Sequence, residues 1–415
     1  MKKPNNNTVK KQVQLELHKL FGRYLKGTVG WVYSKQSHWK PADVFERLVQ
    51  AVLEQTSLED ICSSFEGCSA DTVQYRVNNL DFGQIVQQIN AMLRYTTQGF
   101  YIHGKQTLTL AIDVTDYPWY GDRNHDLSVG SKMRPGTRYF HRYFTACILT
   151  KTYRIPVYFR PLRQEDGFSP YDLVEEIIRE IYWWCPVVQL LGDAWFFSKE
   201  LLDLLNSYNI EYLFRKKVQQ NLKREVEQLK ATQYELAQAA GVDCTNPRKF
   251  FRWLKKQKLL TFKFESILTM RNNHRYPVVV QTVFVKKRMG RNSIEEYLDW
   301  YVYTTNISAS GEYIKALYKS RWGIETQYRV AHYFQAKTTS SSTTIRIFLV
   351  GLSFILTAVW LRINAFLNRI VEKPSPPLNY DLPLRIYRTD NLKLTVLKLK
   401  RIIQAIWRVD YRGVI

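Results

Sequence analysis

Three acids stand where their type and spacing suit metal chemistry. Asp113 closes the apolar β run TLTLAIDVT, Asp193 closes a second run, VVQLLGD, and Glu325 lies within a long helical stretch far downstream. Carboxylates at the ends of neighbouring strands, with a third projecting from a helix packed over them, can hold two Mg²⁺ ions about 4 Å apart. Such a pair activates a hydroxyl and stabilises the leaving oxygen of a phosphodiester. A lone Asp after a strand is ordinarily a turn or cap residue, so the weight lies in the combination. Asp113, Asp116 and Asp122 compete for the first position. Asp113 is favoured because it ends the apolar run directly, whereas Asp116 precedes Tyr117 and Pro118 in an expected turn. Asp203, the rival of Asp193, is expected on the surface of the following helix.

The surroundings of Glu325 strengthen its candidacy. Tyr318, Arg321, Glu325, Arg329 and His332 stand at offsets of 0, 3, 7, 11 and 14. At about 100° per residue these positions share one narrow face of a single helix. An acid framed by two arginines and a tyrosine suits a site that binds a metal and grips phosphate. A solvated row of i,i+4 charge pairs would give the same pattern.

These residues need a scaffold, and the sequence outlines one. From Lys40 to about Arg94 the pattern is helical, followed by a polar connection over 96–106. TLTLAIDVT, GTRYFHRYFTACILT and YRIPVYFRPLR read as three strands, SPYDLVEEIIREIYWW as a capped amphipathic helix, VVQLLGD as a buried strand and SKELLDLLNSYN as a helix opened by Ser198. That order indicates an α/β domain. Residues 215–305 interrupt it with a basic helical piece and strand-rich runs, and long helices resume from Gly311. The uncharged run Ile347 to Trp360 is too short for a membrane span, which takes about 18 residues, and reads as a buried helix. KPSPP at 373–377 separates a basic tail.

Charge names the partner class. The 415 residues include 60 Lys plus Arg against 37 Asp plus Glu, a net charge of +23. With 45% hydrophobic and 14% aromatic residues the charge sits on folded domains, which excludes a histone-like tail and favours nucleic acid. The five cysteines form no C-x-x-C pair, which argues against a zinc ribbon or a disulfide framework and fits a reducing cytosol. No signal or transit peptide is read in MKKPNNNTVKK. In TSLEDICSSFEGCSADTVQYRVNNL, Ser57 can cap one helix, Gly67 turn the chain, and Ser69 cap a second helix carrying Gln74 and Arg76. This is helix-turn-helix grammar, compatible with base reading or with plain helix packing. RKFFRWLKKQK at 248–258 interleaves Arg252, Lys255 and Lys256 with aromatics, as a phosphate-tracking helix with one apolar face would. KKRMGR at 286–291 reads as a basic hairpin tip, and Trp195 as a core residue in preference to a base-stacking one.

Taken in order, these motifs resemble the DDE transposases of the broad IS4-like kind. The signature Y-(2)-R-(3)-E-(3)-R is matched by Tyr318, Arg321, Glu325 and Arg329, a spacing most similar to the ISH3 branch; in the Y-(2)-R-(3)-E-(6)-K variant the lysine position falls on His332 and does not match. IDVTDYPWYGD and LLGDAWFFS resemble the first and second acid motifs, at spacings of 80 and 132 residues. The resemblance runs from about residue 107 to 370. It implies an α/β fold with an RNase H-like catalytic domain over 107–214 and 306–371 and a β-rich insertion over 215–305; the residues themselves add an all-α helix-turn-helix-type domain over 1–100, matched by the family only in its general role, and a basic tail over 372–415. Asp113 would lie on the first strand, Asp193 after the fourth, and Glu325 on the helix behind the insertion. It further implies cut-and-paste transposition in the prokaryotic cytoplasm, with Mg²⁺ or Mn²⁺, terminal inverted repeats and target DNA as double-stranded substrates, a dimer in the synaptic complex and no membrane. Tyr318 and Arg321 would hold DNA near the cleaved phosphate, with Arg329 in the same grip or paired back to Glu325. The rival readings are an RNase H-like nuclease without strand transfer and an inactive DNA-binding protein.

Overall fold

The computed structural model describes residues 38–64, 66–101, 108–150, 153–163, 167, 169–185, 187–215, 220–268, 274–289 and 293–371. The proline-rich break and the basic tail lie outside these residues. The chain divides into two units: 1–106, 114–167 and 324–415 form the first, and 107–113 with 168–323 the second.

The first unit begins with four helices, α1 (Pro41–Glu54), α2 (Leu58–Ser64), α3 (Ala70–Asn78) and α4 (Phe82–Tyr101). Local chemistry sets their starts. Asp43 accepts from the Lys40 N–H, Pro41 presets the first turn of α1, and Ser69 caps α3 by accepting from the Thr72 N–H. Leu58, Ile61, Val73 and Val77 turn inward between α2 and α3. Helix α4 continues through the polar stretch 96–101 that the sequence assigns to a connection. The buried Thr96 and Thr97 hydroxyls donate to the carbonyls of Met92 and Leu93, so their polar groups are satisfied inside the helix.

Against these helices lie the second half of β1 (Leu108–Trp119), β2 (Ser128–Arg134), β3 (Thr137–Leu149) and β4 (Arg154–Pro161). Strand β3 stands beside β1 and pairs antiparallel with β2 and β4. Strand β2, SVGSKMR, is absent from the sequence reading because a polar run with an internal glycine carries no β signal; pairing with β3 creates it. Asp193 therefore follows the fifth strand and not the fourth. The outer edge of β4 is closed by Asn90, which donates to the Phe159 carbonyl at 3.0 Å and accepts from its N–H at 2.8 Å.

Helix α10 (Gly323–His332) buries Ile324, Gln327, Tyr328, Val330 and Ala331, and the Tyr328 hydroxyl hydrogen-bonds Thr145 of β3 at 2.6 Å. Helix α11 (Thr343–Val371) carries the apolar run. Thr343–Arg362 is long and apolar enough to cross a membrane, yet nearly all of it is buried against α4, β4 and the other N-terminal helices. The approach to α4 is close enough that a Cβ on Gly351 would stand 2.1 Å from Ile89 Cδ1, so the position requires glycine.

In the second unit the first half of β1 pairs parallel with β5 (Val187–Gly192), which pairs parallel with β6 (Glu211–Arg215). The crossovers are α5 (Pro170–Ile181), opened by a Ser169–Asp172 capping box, and α6 (Lys199–Ser207), capped by Ser198. Leu173, Val174, Ile177, Ile178 and Ile181 form the buried stripe of α5, each contributing about 1.5–3 kcal/mol. Beyond β6 come α7 (Gln220–Ala239), α8 (Pro247–Lys256), β7 (Thr261–Leu268), β8 (His274–Met289), β9 (Ser293–Thr305) and α9 (Gly311–Arg321). The last three strands are antiparallel, and the end of β9 returns to pair with β6 through Leu213 and Thr305.

Candidate active site

The register between parallel strands brings the first two acids together. Ala111 is level with Leu191, so the residues two further along, Asp113 and Asp193, fall level on the same face of neighbouring strands. Adjacent strands lie about 4.8 Å apart, within reach of one shared cation. The same counting crosses to β6: Gly192 is level with Phe214, which sets Arg215 beside Asp193. Arg215 escapes the sequence reading, where it marks the start of an insertion; the signal was the apolar run EYLF ending in a charge, as VVQLLG does in Asp193.

Asp193 sits one residue past β5, and its Oδ1 accepts from the Trp195 N–H at 2.8 Å. The turn fixes the carboxylate and leaves Oδ2 without a hydrogen-bond partner among the described residues. The preceding Gly192 is needed for packing, since a Cβ there would lie 2.7 Å from Phe214 Cε1 and 3.4 Å from Ile112 Cγ1. Trp195 is 45% exposed, edge-on to the buried Phe196, so the expectation of a core tryptophan is corrected: Phe196 fills the core place.

Asp113 accepts a hydrogen bond from Arg321 Nη1 at 3.2 Å, with side chains 17% and 8% exposed. The Tyr318 ring lies 5.6 Å from the guanidinium carbon and 5.2 Å from the Tyr303 ring. Burial pushes the Tyr318 phenol up; Arg321 and Arg215 oppose this and Asp193 adds to it, which places all three charges within electrostatic reach of the phenol. Tyr318 is buried, supporting Arg321 from within the unit. The competing acids are engaged elsewhere. Asp116 is bound by Arg142 at 2.8 and 3.2 Å and by Ser131 at 3.1 Å, and it lies inside β1, which runs on through Pro118, so the expected turn is not formed. Asp122 accepts from the Asn124 N–H in a turn, and Asp203 is exposed on α6.

The single long helix expected from Tyr318 to His332 is two helices. At Trp322 the N–H bonds Lys319 and Ser320, tightening the last turn of α9, and Gly323 opens α10. The five residues therefore do not share one helix face. Within the second unit the structure brings together Asp113, Asp193, Tyr318 and Arg321. Glu325 stands half-buried in the first turn of α10, in the first unit. Arg329 is exposed and forms no ion pair with Glu325 among the described residues. His332, also exposed, bonds Gln335 and has its ring 5.2 Å from that of Tyr117.

Among the described residues no three of His, Cys, Asp and Glu converge as a preformed metal group. The level pair Asp113 and Asp193 nevertheless supplies hard oxygen donors of the kind Mg²⁺ takes, and the Arg321 guanidinium at Asp113 shows a carboxylate oriented toward positive charge. The acids fit a divalent cation.

The surfaces assigned to DNA divide clearly. In α8, Phe250 and Leu254 are buried, whereas Arg252, Lys255 and Lys256, spaced i, i+3, i+4, face solvent without an ion-pair partner among the described residues. Arg248 is bound to Glu296 and Lys249 to Asp243, so those two cations brace the fold. In α3, Gln74 donates to Glu59 of α2 at 2.9 Å, while Arg76 is half-buried beside the 65%-exposed Tyr75. Of the expected basic hairpin, 290 and 291 lie outside the described residues, and Lys286 pairs with Glu296.

Residues 166–359 match the family model described as "Transposase DDE domain". The match includes Asp193 and Glu325 and begins after Asp113, whose assignment rests on its register with Asp193. A search of curated proteins finds no match. Among solved structures, a cryo-EM structure of the piggyBac transposase synaptic complex with hairpin DNA is similar at a TM-score of 0.51 and 11% identity, covering 96% of this chain and 82% of that one. That likeness is one of fold: mixed α/β, RNase H-like, with a helical N-terminal region.

Proposed function

We propose that this chain, which carries a transposase DDE domain over residues 166–359 and with it the catalytic module of DNA-cleaving, strand-transferring enzymes, is the transposase of an IS4-like insertion sequence of the ISH3 branch. It cuts at the element's terminal inverted repeats and joins the freed 3′-OH to target DNA by cut-and-paste, acting as a dimer on two synapsed ends in the cytoplasm. The observation that carries this reading is the level pairing of Asp113 with Asp193, the second of which lies inside the matched domain. Asp113 and Asp193 would hold the divalent cation, Mg²⁺ or Mn²⁺, and Glu325 is the third acid that the resemblance assigns to the same task. When bound, the ions activate the attacking hydroxyl and stabilise the leaving oxygen.

The chain's own residues do the positioning. The Trp195 N–H holds Asp193 in its rotamer. Arg215, level with Asp193, and Arg321, beside Asp113, offer guanidinium forks to the scissile phosphate, with Tyr318 buttressing Arg321. Arg329 extends the grip along α10. Arg252, Lys255 and Lys256 track the DNA backbone, and Arg76, with Gln74 at its side, meets the inverted repeat. The working division is 1–100 for DNA binding, 107–214 and 306–371 for catalysis, 215–305 as insertion and 372–415 as tail.

The test uses inverted repeats found in the DNA flanking the gene as a labelled substrate, incubated with Mg²⁺ and with Asp113→Ala and Asp193→Asn controls. Nicking at the repeat boundary and joining to a plasmid, lost in both controls while DNA binding persists, is the expected result. Cleavage without joining would make the protein a nuclease. Binding without cleavage would leave an inactive DNA-binding protein.

A further inference from the structure

Arg321 and Asp113 lie 208 residues apart in sequence and meet at 3.2 Å with side chains only 8% and 17% exposed. The guanidinium is held from behind: Tyr318, itself buried, packs its ring 5.6 Å from Cζ, and Tyr303 packs on Tyr318. Asp113 is level with Asp193, so a neighbouring carboxylate adds to the field that holds Arg321 in place. Arg321 takes Asp113 Oδ2, one of the two oxygens on which a cation bound between the acids would draw.

We propose that Arg321 is the resident counter-ion of Asp113, competing with the divalent cation for the charge of the same carboxylate, so that metal binding weakens the Arg321–Asp113 bond. This inference rests on the reading of Asp113 and Asp193 as metal ligands. Its physical basis is that a partly buried carboxylate without a counter-ion is costly, so the fold keeps one in place until the metal arrives. Displacement frees a planar donor fork beside the site, whose natural acceptor is a phosphate. Arg321 then links metal loading to substrate grip.

The experiment is calorimetric titration of Mn²⁺ into the wild-type protein, Arg321→Gln, Arg321→Lys and Asp193→Asn, with melting curves in EDTA and in Mn²⁺. Arg321→Gln should bind Mn²⁺ about tenfold more tightly than wild type, the scale of a close charge pair after its desolvation is subtracted. Arg321→Lys should stay near wild type. The melting deficit of Arg321→Gln in EDTA should shrink in Mn²⁺, because the metal replaces the missing charge. Equal Mn²⁺ affinity in wild type and Arg321→Gln, with an equal melting deficit in both conditions, would overturn the competition while leaving the metal reading intact. No Mn²⁺ site that Asp193→Asn weakens would overturn the metal reading itself. Should Arg321→Gln fail to fold, phenylglyoxal labelling of Arg321 in the wild type serves instead: reactivity that rises with Mn²⁺ supports displacement, and reactivity that stays constant refutes it.

Discussion

Replacing Arg252, Lys255 and Lys256 together by Ala removes the solvent face of α8 and leaves its buried face, Phe250 and Leu254, untouched. If each of these cations contacts one phosphate, each contributes about 0.9 to the slope of log affinity against log salt, so the triple variant lowers that slope by about 2.7. Wild type should then lose about 40-fold more affinity than the variant between about 50 and about 200 mM salt. Fluorescence anisotropy of a labelled duplex across a salt series reads the slope directly. Arg248→Ala is the internal control, since Arg248 is tied to Glu296, which Lys286 also binds at 3.2 Å. That variant should lower the melting temperature and leave the slope near wild type. A triple variant with unchanged slope, or an Arg248 variant that flattens it equally, would remove α8 from the DNA path.

Other consequences follow from the geometry. Gly192→Ala places a methyl 2.7 Å from the fully buried Phe214 ring and should cost about 1–3 kcal/mol in urea unfolding; a neutral variant would show that β5 and β6 are less closely fitted. Asp116→Asn should lower stability by about 1–3 kcal/mol through its bonds to Arg142 and Ser131 while end cleavage survives, and loss of cleavage at intact stability would reopen the choice of first acid. His141 is buried, stacked on both Trp119 and His125, which also touch each other, and burial pushes its pKa down to about 3, with His125 and Arg346 adding to the shift. Its folded pKa lies below the unfolded value of 6.5, so the unfolded chain binds the extra proton. Stability is full above that value and falls, by up to about 1.4 kcal/mol per pH unit, as pH drops toward the folded pKa. His141→Phe should flatten that acid limb in urea melts between about pH 7 and about pH 5, and an unaltered limb would assign the acid sensitivity to other groups.

What the sequence determined by itself lies in short windows, where the physics is local. Ser169 and Ser198 open their helices as their hydroxyls and spacing require, and the period of Phe250 and Leu254 against Arg252, Lys255 and Lys256 sets the two faces of α8. The uncharged stretch of α11 is buried, because apolar surface without charge has to find cover. Even Asp193 was legible, since a run of buried β residues that ends in Gly-Asp leaves the acid at the strand's mouth. The tertiary structure decided the rest. A polar run became β2 only because β3 offered it an edge, and the Tyr318 to His332 segment broke at Trp322 where the last turn of α9 tightens. That Asp113 and Asp193 are level, that Arg215 stands beside them, and that Arg321 holds Asp113 are facts of register and of an ion pair spanning 208 residues. Caps and periodicity are satisfied within a few residues of themselves, whereas register and charge pairing are chosen by packing between segments that the chain brings together only after it has folded.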